Sequence, residues 1–343
     1  MIRINKNESP IRAFTDETLK EIVVNSRFFE YPDDEYDEFL EAYATYNGFD
    51  KNQLSAANGS DEWIQKCMIA LGDGPVLTIN PDFFMYTDYA AQLKRPIHYV
   101  NCEEDFSFDL TKILTAMDDL KPSFFILSQP NNPTGALFSD DFIQQCSDKM
   151  EALGGYFVLD EAYIEFSEPY SVPAGKHVIQ MRTMSKIYGF AGLRIGIVIT
   201  HPDTIALLNS IHHPYPINTL SLQLATHLLR DQPSLDEFFA YQRARAAQLQ
   251  AIFLNQSDVI NVIPSHTNFI MTYGENALSL GRYIESHGFL PRTYPDDALL
   301  KEVVRYSIST EENLNQLARI VTDWRSHYDS VNDQSLEIRD KVK

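Results

Sequence analysis

Between residues 75 and 159 the chain alternates short apolar runs with longer stretches of helical period, and few folds accept that order. Residues 75–79, 96–100, 123–128 and 156–159 read as strands, and residues 110–117 and 139–153 as helices. Strands separated by covering helices make a mostly parallel sheet, buried on both faces. Further strands are expected at 177–181 and 193–200, and helices at 201–211 and 220–230 close the large domain. In open sheets of this class ligands collect at the carboxyl ends of the strands, so the residues that follow the apolar runs are the ones to inspect.

Asp160 follows one such run, Gly155-Tyr-Phe-Val-Leu159. The stretch Met181 to Gly196, MRTMSKIYGFAGLRIG, sets Thr183, Ser185, Lys186 and Arg194 among apolar neighbours. A lysine whose amine is kept partly neutral can hold an aldehyde as an imine, and two hydroxyls beside an arginine suit a phosphate. A lone Ser-Lys pair is most often a surface feature beside a strand, so independent partners must decide. Asp160 can pair with a protonated pyridine nitrogen and keep the ring an electron sink. Tyr163, three residues on, and Asn132 in Gln129-Pro-Asn-Asn-Pro-Thr-Gly135 can both reach a phenolic oxygen. Both would help hold the imine lysine's pKa down. Together these groups describe pyridoxal phosphate.

Other segments fit around that centre. Asn58-Gly-Ser-Asp-Glu62 precedes the apolar helix 63–71, with Ser60 or Asp61 as the expected N-cap. Free amides at that helix start would bind a phosphate; a cap with no ligand is the plainer reading of this segment alone. In Pro81-Asp-Phe-Phe-Met-Tyr86, Phe83 offers a π face, while Phe84 is expected in the core. Tyr36, Phe39, Leu40 and Tyr43 share one helical face. The first thirty residues read as an arm with one short helix at 15–24. A long helix is expected at 235–254, after which strands at 259–263, 268–272 and 303–308 and helices at 277–287 and 311–328 suggest an α+β lobe. The expected division is arm 1–30, large domain 31–245, small domain 246–328 and a frayed polar tail 329–343. His212 and His213 have no evident third ligand and read as part of a turn, so no metal site is expected.

These pieces resemble, in order, the aspartate aminotransferase superfamily of fold-type I pyridoxal phosphate enzymes, and within it the histidinol-phosphate aminotransferases. The resemblance runs through Asn5-Lys-Asn-Glu-Ser-Pro10, Glu30-Tyr-Pro-Asp33, Asn58-Gly-Ser-Asp-Glu62, Asn131-Asn-Pro-Thr-Gly135, Asp160-Glu-Ala-Tyr163, Ser185-Lys186, Ala191-Gly-Leu-Arg194 and Val304-Arg-Tyr-Ser-Ile308. It covers nearly the whole chain and implies an α/β large domain on a mostly parallel seven-stranded sheet, with a smaller α+β domain. It implies Lys186 as the cofactor lysine, with Asp160 and Tyr163 as its catalytic partners. Ser60, Asp61, Thr183, Ser185 and Arg194 would hold the phosphate, Phe83 would lie on the ring where tyrosine is usual, and Tyr31 would arrive from the second subunit of a homodimer. Asn7, Asn132, Arg305 and Arg292 would meet the substrate; for Arg292 a surface position is an equal reading. The implied reaction moves an amino group between histidinol phosphate and 2-oxoglutarate or glutamate. Ile11 stands where the family commonly has tyrosine, so an aromatic amine donor is an alternative. A decarboxylating lyase of a phosphorylated amino acid such as threonine phosphate shares nearly every motif. A catalytically silent ligand-binding domain is a third reading, opposed by the intact Asp160 and Lys186.

A formal net charge of −20 and a pI near 4.8 argue against nucleic acid and against anionic membranes. No apolar run approaches the roughly 18 residues of a membrane span. Cys67, Cys102 and Cys146 show no paired spacing, which fits a reducing compartment, and the cytoplasm is the expected location.

Overall fold

The computed structural model describes residues 1–341, with side chains described through residue 330. In chain order the strands are β1 (Ile2–Arg3), β2 (Leu54–Asn58), β3 (Val76–Asn80), β4 (Ile97–Asn101), β5 (Phe124–Ser128), β6 (Tyr156–Asp160), β7 (Val178–Thr183), β8 (Ile195–Thr200), β9 (Asn261–Ile263), β10 (Phe269–Tyr273), β11 (Phe289–Leu290), β12 (Arg292–Thr293) and β13 (Val303–Ser307). The helices are α1 (Asp16–Asn25), α2 (Glu35–Asn47), α3 (Ser60–Ala70), α4 (Met85–Gln92), α5 (Leu110–Leu120), α6 (Asp140–Ala152), α7 (Pro202–Asn209), α8 (Thr219–Arg230), α9 (Gln232–Leu254), α10 (Glu275–Ser286) and α11 (Glu311–Lys341).

Seven strands form the main sheet in the order β2-β8-β7-β6-β5-β3-β4. Neighbours from β4 to β7 are parallel, while β8 runs antiparallel to both β7 and β2. Successive side chains of β5 and β6 leave opposite faces. Phe124, Ile126 and Val158 join Trp63, Ile64 and Met68 of α3 on one face, while Phe125, Leu127, Phe157 and Leu159 join Ile113, Ile143 and Met150 on the other. Double burial explains why these strands read as continuous apolar runs.

This topology gathers the site loops at one end. The carboxyl ends of β3, β5, β6 and β7 lead to Asp82, Asn132, Tyr163 and Lys186. Because β8 is reversed, its start at Ile195 lies at the same end and brings Arg194 there; β2, reversed again, delivers Asn58 and the start of α3.

A second sheet, β12-β13-β10-β9, is antiparallel throughout. Leu249, Phe253, Leu280, Ile284, Leu317 and Trp324 pack with its Ile270 and Tyr306. Helix α9 runs unbroken from one lobe to the other: Leu235, Phe238 and Phe239 belong to the core around β8, Ala246 and Leu249 to the core around β10. The N-terminal arm is anchored there too. β1 pairs in parallel with β11, the Ile4 carbonyl accepts the Ser307 N–H at 2.8 Å, and Ile4 is fully buried, a contribution of about 2 kcal/mol.

Several expectations shift. β2 was not anticipated. Phe84, expected in the core, is 59 % exposed at the N-cap of α4, because the chain turns there and places Phe83 and Tyr86, three apart, on the inner side. The α3 cap is Gly59, with neither Ser60 nor Asp61 capping. The last helix extends to Lys341 through much of the expected tail, and residues 342–343 lie outside the described residues. Among the described residues no helix is long and apolar enough to cross a membrane.

Candidate active site

The lysine loop is anchored in the core by three of its side chains. Met184, Ile187 and Tyr188 are fully buried, and Met184 exchanges backbone bonds with Ile195 and Phe190 at 3.0 and 2.9 Å. Thr183, Ser185 and Lys186 are left lining a cavity of about 190 Å³ with Arg194. The Thr183 hydroxyl donates to Ser185 Oγ at 2.9 Å and accepts the Ser185 N–H at 3.1 Å. Arg194, in left-handed backbone at φ 56°, reaches Ser185 Oγ at 3.5 Å and Asp61 Oδ2 at 2.6 Å.

The start of α3 sits against this group with no room to spare. A Cβ on Gly59, whose φ is 83°, would lie 2.3 Å from the Arg194 guanidinium, and one on Gly196 would lie 2.2 Å from the Ser60 nitrogen. Only glycine at both positions lets the helix start, the arginine and β8 meet. The Glu62 carboxylate, in the first turn of α3, reaches back to accept the Asn58 N–H at 2.8 Å and holds the turn into the helix.

Asp160, 3 % exposed, accepts the Tyr86 hydroxyl at 2.8 Å and the Ala162 N–H at 3.2 Å. Burial pushes its carboxyl up to about 6, against those two donors. It has no ion-pair partner among the described residues, as expected of an acid whose cationic partner is a ligand. The Lys186 amine lies 5.4 Å from the Tyr163 ring, whose hydroxyl accepts from Asn7 Nδ2 at 2.9 Å. Ser60, Asp61, Phe83, Asn132, Asp160 and Tyr163 line the same 190 Å³ cavity as Lys186.

A larger cavity of about 780 Å³ shares Lys186, Tyr163, Phe83 and Asn132 with the first, and Asn7, Arg292 and Arg305 line it. Arg305, on the inner strand β13, is buried, donates to Asn132 Oδ1 and to the Asn5 carbonyl at 3.2 Å, and lies over the Phe269 ring. Arg292 stands opposite it across the β12–β13 ladder and stacks on Tyr294, so it faces the cavity while remaining exposed. Tyr31 lies outside both cavities. It is 74 % exposed, stacks on Tyr215 at 4.5 Å, and borders a separate cleft of about 620 Å³ with Asn58, Asp61 and Arg194.

Four groups escaped the sequence reading: Tyr86, Asp82, Ser128 and Ser307, all hydrogen-bonded to expected site residues or to one another. The spacing of Phe83 and Tyr86 could have found Tyr86. Asp82 meets Ser128 across 46 residues and Ser307 meets Asn7 across 300, separations that no local pattern spans.

Residues 3–321 match the family described as "Aminotransferase class I and II". The chain is 30% identical to a histidinol-phosphate aminotransferase of Vesicomyosocius okutanii over 94% of its own length and 91% of that protein's. Among solved structures, histidinol-phosphate aminotransferase from Sinorhizobium meliloti in complex with pyridoxal-5'-phosphate superposes with a TM-score of 0.82 at 23% identity, covering 95% of this chain and 91% of that one. L-threonine-O-3-phosphate decarboxylase from Porphyromonas gingivalis gives a TM-score of 0.75 at 21% identity, covering 95% and 100%. The fold, the lysine and aspartate at strand ends and the match along nearly the whole chain place it in the class I and II aminotransferase family, as a histidinol-phosphate aminotransferase-like member.

Proposed function

We propose that this chain forms a homodimeric, pyridoxal phosphate-dependent enzyme that moves an amino group between histidinol phosphate and 2-oxoglutarate. The carrying observation is that Lys186, Asp160 and the Arg194 cluster line one cavity, and that Lys186 also lines the neighbouring cavity containing Arg305. The residues present fit the cofactor. The glycine-only approach of Gly59 and Gly196 leaves the start of α3 facing Arg194, Ser185 and Thr183, a donor set for a phosphate. The unpaired buried Asp160 suits a pyridinium nitrogen.

Bound pyridoxal phosphate supplies the aldehyde that engages amines and the cationic ring that withdraws electrons from the substrate's α carbon. Asp160 would hold the ring nitrogen protonated, worth roughly 1.5–3 kcal/mol as a charge-assisted hydrogen bond. With the cofactor bound, the Lys186 amine would serve as the base and then the acid that moves the substrate's α proton. Tyr163, fixed by Asn7, and Asn132, fixed by Arg305, would hold the phenolic side of the ring. Arg305 and Arg292 bind carboxylate or phosphate, since planar guanidinium forks accept either. Exposed Phe28, Phe29 and Tyr31 support a second copy covering that segment, so that Tyr31 completes the partner's phosphate site. We divide the chain near residue 245, where α9 changes cores, and place it in the cytoplasm, in keeping with three free cysteines.

The test follows glutamate formed from 2-oxoglutarate across histidinol phosphate, aromatic amino acids and phosphothreonine. Turnover of histidinol phosphate above the others is expected. Carbon dioxide released from phosphothreonine, with histidinol phosphate inert, would make the enzyme a lyase, a reading the likeness to the decarboxylase keeps open. Preference for an aromatic amino acid would keep transamination and discard the phosphorylated donor.

A further inference from the structure

Asp82 has no part in the mechanism above, yet its carboxylate is the most heavily hydrogen-bonded at this end of the sheet. Oδ1 accepts the Phe83 N–H at 2.7 Å and the Ser128 hydroxyl, and Oδ2 accepts the Ser128 N–H at 3.0 Å. Ser128, itself buried, accepts at Oγ the Asn132 N–H at 2.9 Å and Asn131 Nδ2 at 3.3 Å. Asn132 Oδ1 then accepts from Arg305. A single hydrogen-bonded chain therefore runs from the loop after β3, which carries Phe83, through the loop after β5 to the arginine of the second sheet.

The arrangement exceeds what local structure needs. The bond to Phe83 alone would fix the turn into α4, whereas Oδ2 serves only Ser128, 46 residues away. Asp82 has no ion-pair partner among the described residues, and burial pushes its carboxyl up to about 7 despite three donors. An ionisable group held where its charge is disfavoured, when a neutral side chain could close the same turn, points to the value of two acceptor oxygens at once.

We propose that Asp82 is a positioning residue that, through Ser128, sets Asn132 and the Arg305 guanidinium relative to the Phe83 ring. The cofactor-facing and substrate-facing walls are thereby held in one register. This rests on reading the cavity as a pyridoxal phosphate site.

The experiment compares wild type with Asp82→Ala, Ser128→Ala, the double variant and Asp82→Asn. Three quantities are read: the dissociation constant of pyridoxal phosphate by absorbance titration, KM apart from kcat, and thermal midpoint. Each alanine variant should weaken cofactor binding and raise KM by about tenfold, the scale of one charge-assisted hydrogen bond. The double variant should fall within about threefold of the worse single, because residues in one network are not additive. Asp82→Asn, which keeps one acceptor oxygen, should recover part of the loss. Lower midpoints with unchanged dissociation constants and KM, or losses that multiply in the double variant, would overturn the proposal. If Asp82→Ala does not fold, Ser128→Ala alone decides by the same criteria. Wild-type protein that takes up no pyridoxal phosphate would instead overturn the cofactor reading, and this proposal with it.

Discussion

Replacing Asn7 by alanine isolates the joint between the N-terminal arm and the site. Asn7 is 2 % exposed, with Nδ2 donating to the Tyr163 hydroxyl at 2.9 Å and Oδ1 accepting the Ser307 hydroxyl at 2.6 Å. Its backbone also holds: the N–H donates to Ser307 Oγ at 2.9 Å and the carbonyl accepts Asn268 Nδ2 at 3.0 Å. Alanine deletes the two side-chain bonds and leaves buried partners behind, about 1–2 kcal/mol for each. Asn7 also has a φ of 57°, a left-handed conformation that asparagine tolerates and alanine does not, adding about 1 kcal/mol. The expected destabilisation is therefore about 3–5 kcal/mol by urea denaturation. Asn7→Gly loses the same bonds without the backbone penalty and should be about 1 kcal/mol less damaging. KM should rise in both, because Tyr163 loses the donor that fixes it. A cost below about 1 kcal/mol for alanine would show that the side-chain bonds contribute little. Equal values for alanine and glycine would refute the backbone reasoning.

Arg305→Ala should weaken both half-reactions by roughly 2–5 kcal/mol, the scale for removing one member of a buried charge pair, whereas exposed Arg292→Ala should cost about 1 kcal/mol or less; an Arg305 effect on one half-reaction alone would mean the substrates do not share it. Glu165 has neither carboxylate oxygen hydrogen-bonded, and burial pushes its pKa from 4.5 up to about 7. The folded state therefore keeps that proton while the unfolded chain loses it, and stability from this group declines as pH rises from about 4.5 to 7. Glu165→Gln should gain on wild type by on the order of 3 kcal/mol between pH 4.5 and 8; a denaturation difference flat with pH would refute this. Mixing inactive Lys186→Ala chains with inactive Tyr31→Ala chains should restore part of the activity, by giving each heterodimer one complete site. Failure with verified subunit exchange would remove Tyr31 from the shared site.

What could be read in the sequence divides by range. Strands β5 and β6 were legible because burial on both faces writes an uninterrupted apolar run, β3 because only Thr78 breaks one, and Asp160 and Lys186 because polar groups end or interrupt such runs. β2 was not: Leu-Ser-Ala-Ala-Asn has no β-branched residue, and its strand form comes from pairing with β8. Phe84 was misjudged because an aromatic run carries no period, and only the turn into α4 shows which rings face inward. Asn7 meets Ser307 across 300 residues and Asp82 meets Ser128 across 46, so no local pattern announces them. Arg292 became interpretable only when the β12–β13 ladder put it opposite Arg305.

The central claim is that Lys186 is the residue that carries the cofactor, and borohydride reduction of the pyridoxal phosphate-loaded protein followed by peptide mapping tests it most directly. Lys6 lines the same cavity, so the result is not forced by geometry. The label should be found on the peptide containing Lys186 and should be absent from Lys186→Ala protein of unchanged thermal midpoint. Label on Lys6, or on any other lysine of the wild-type chain, would contradict the account.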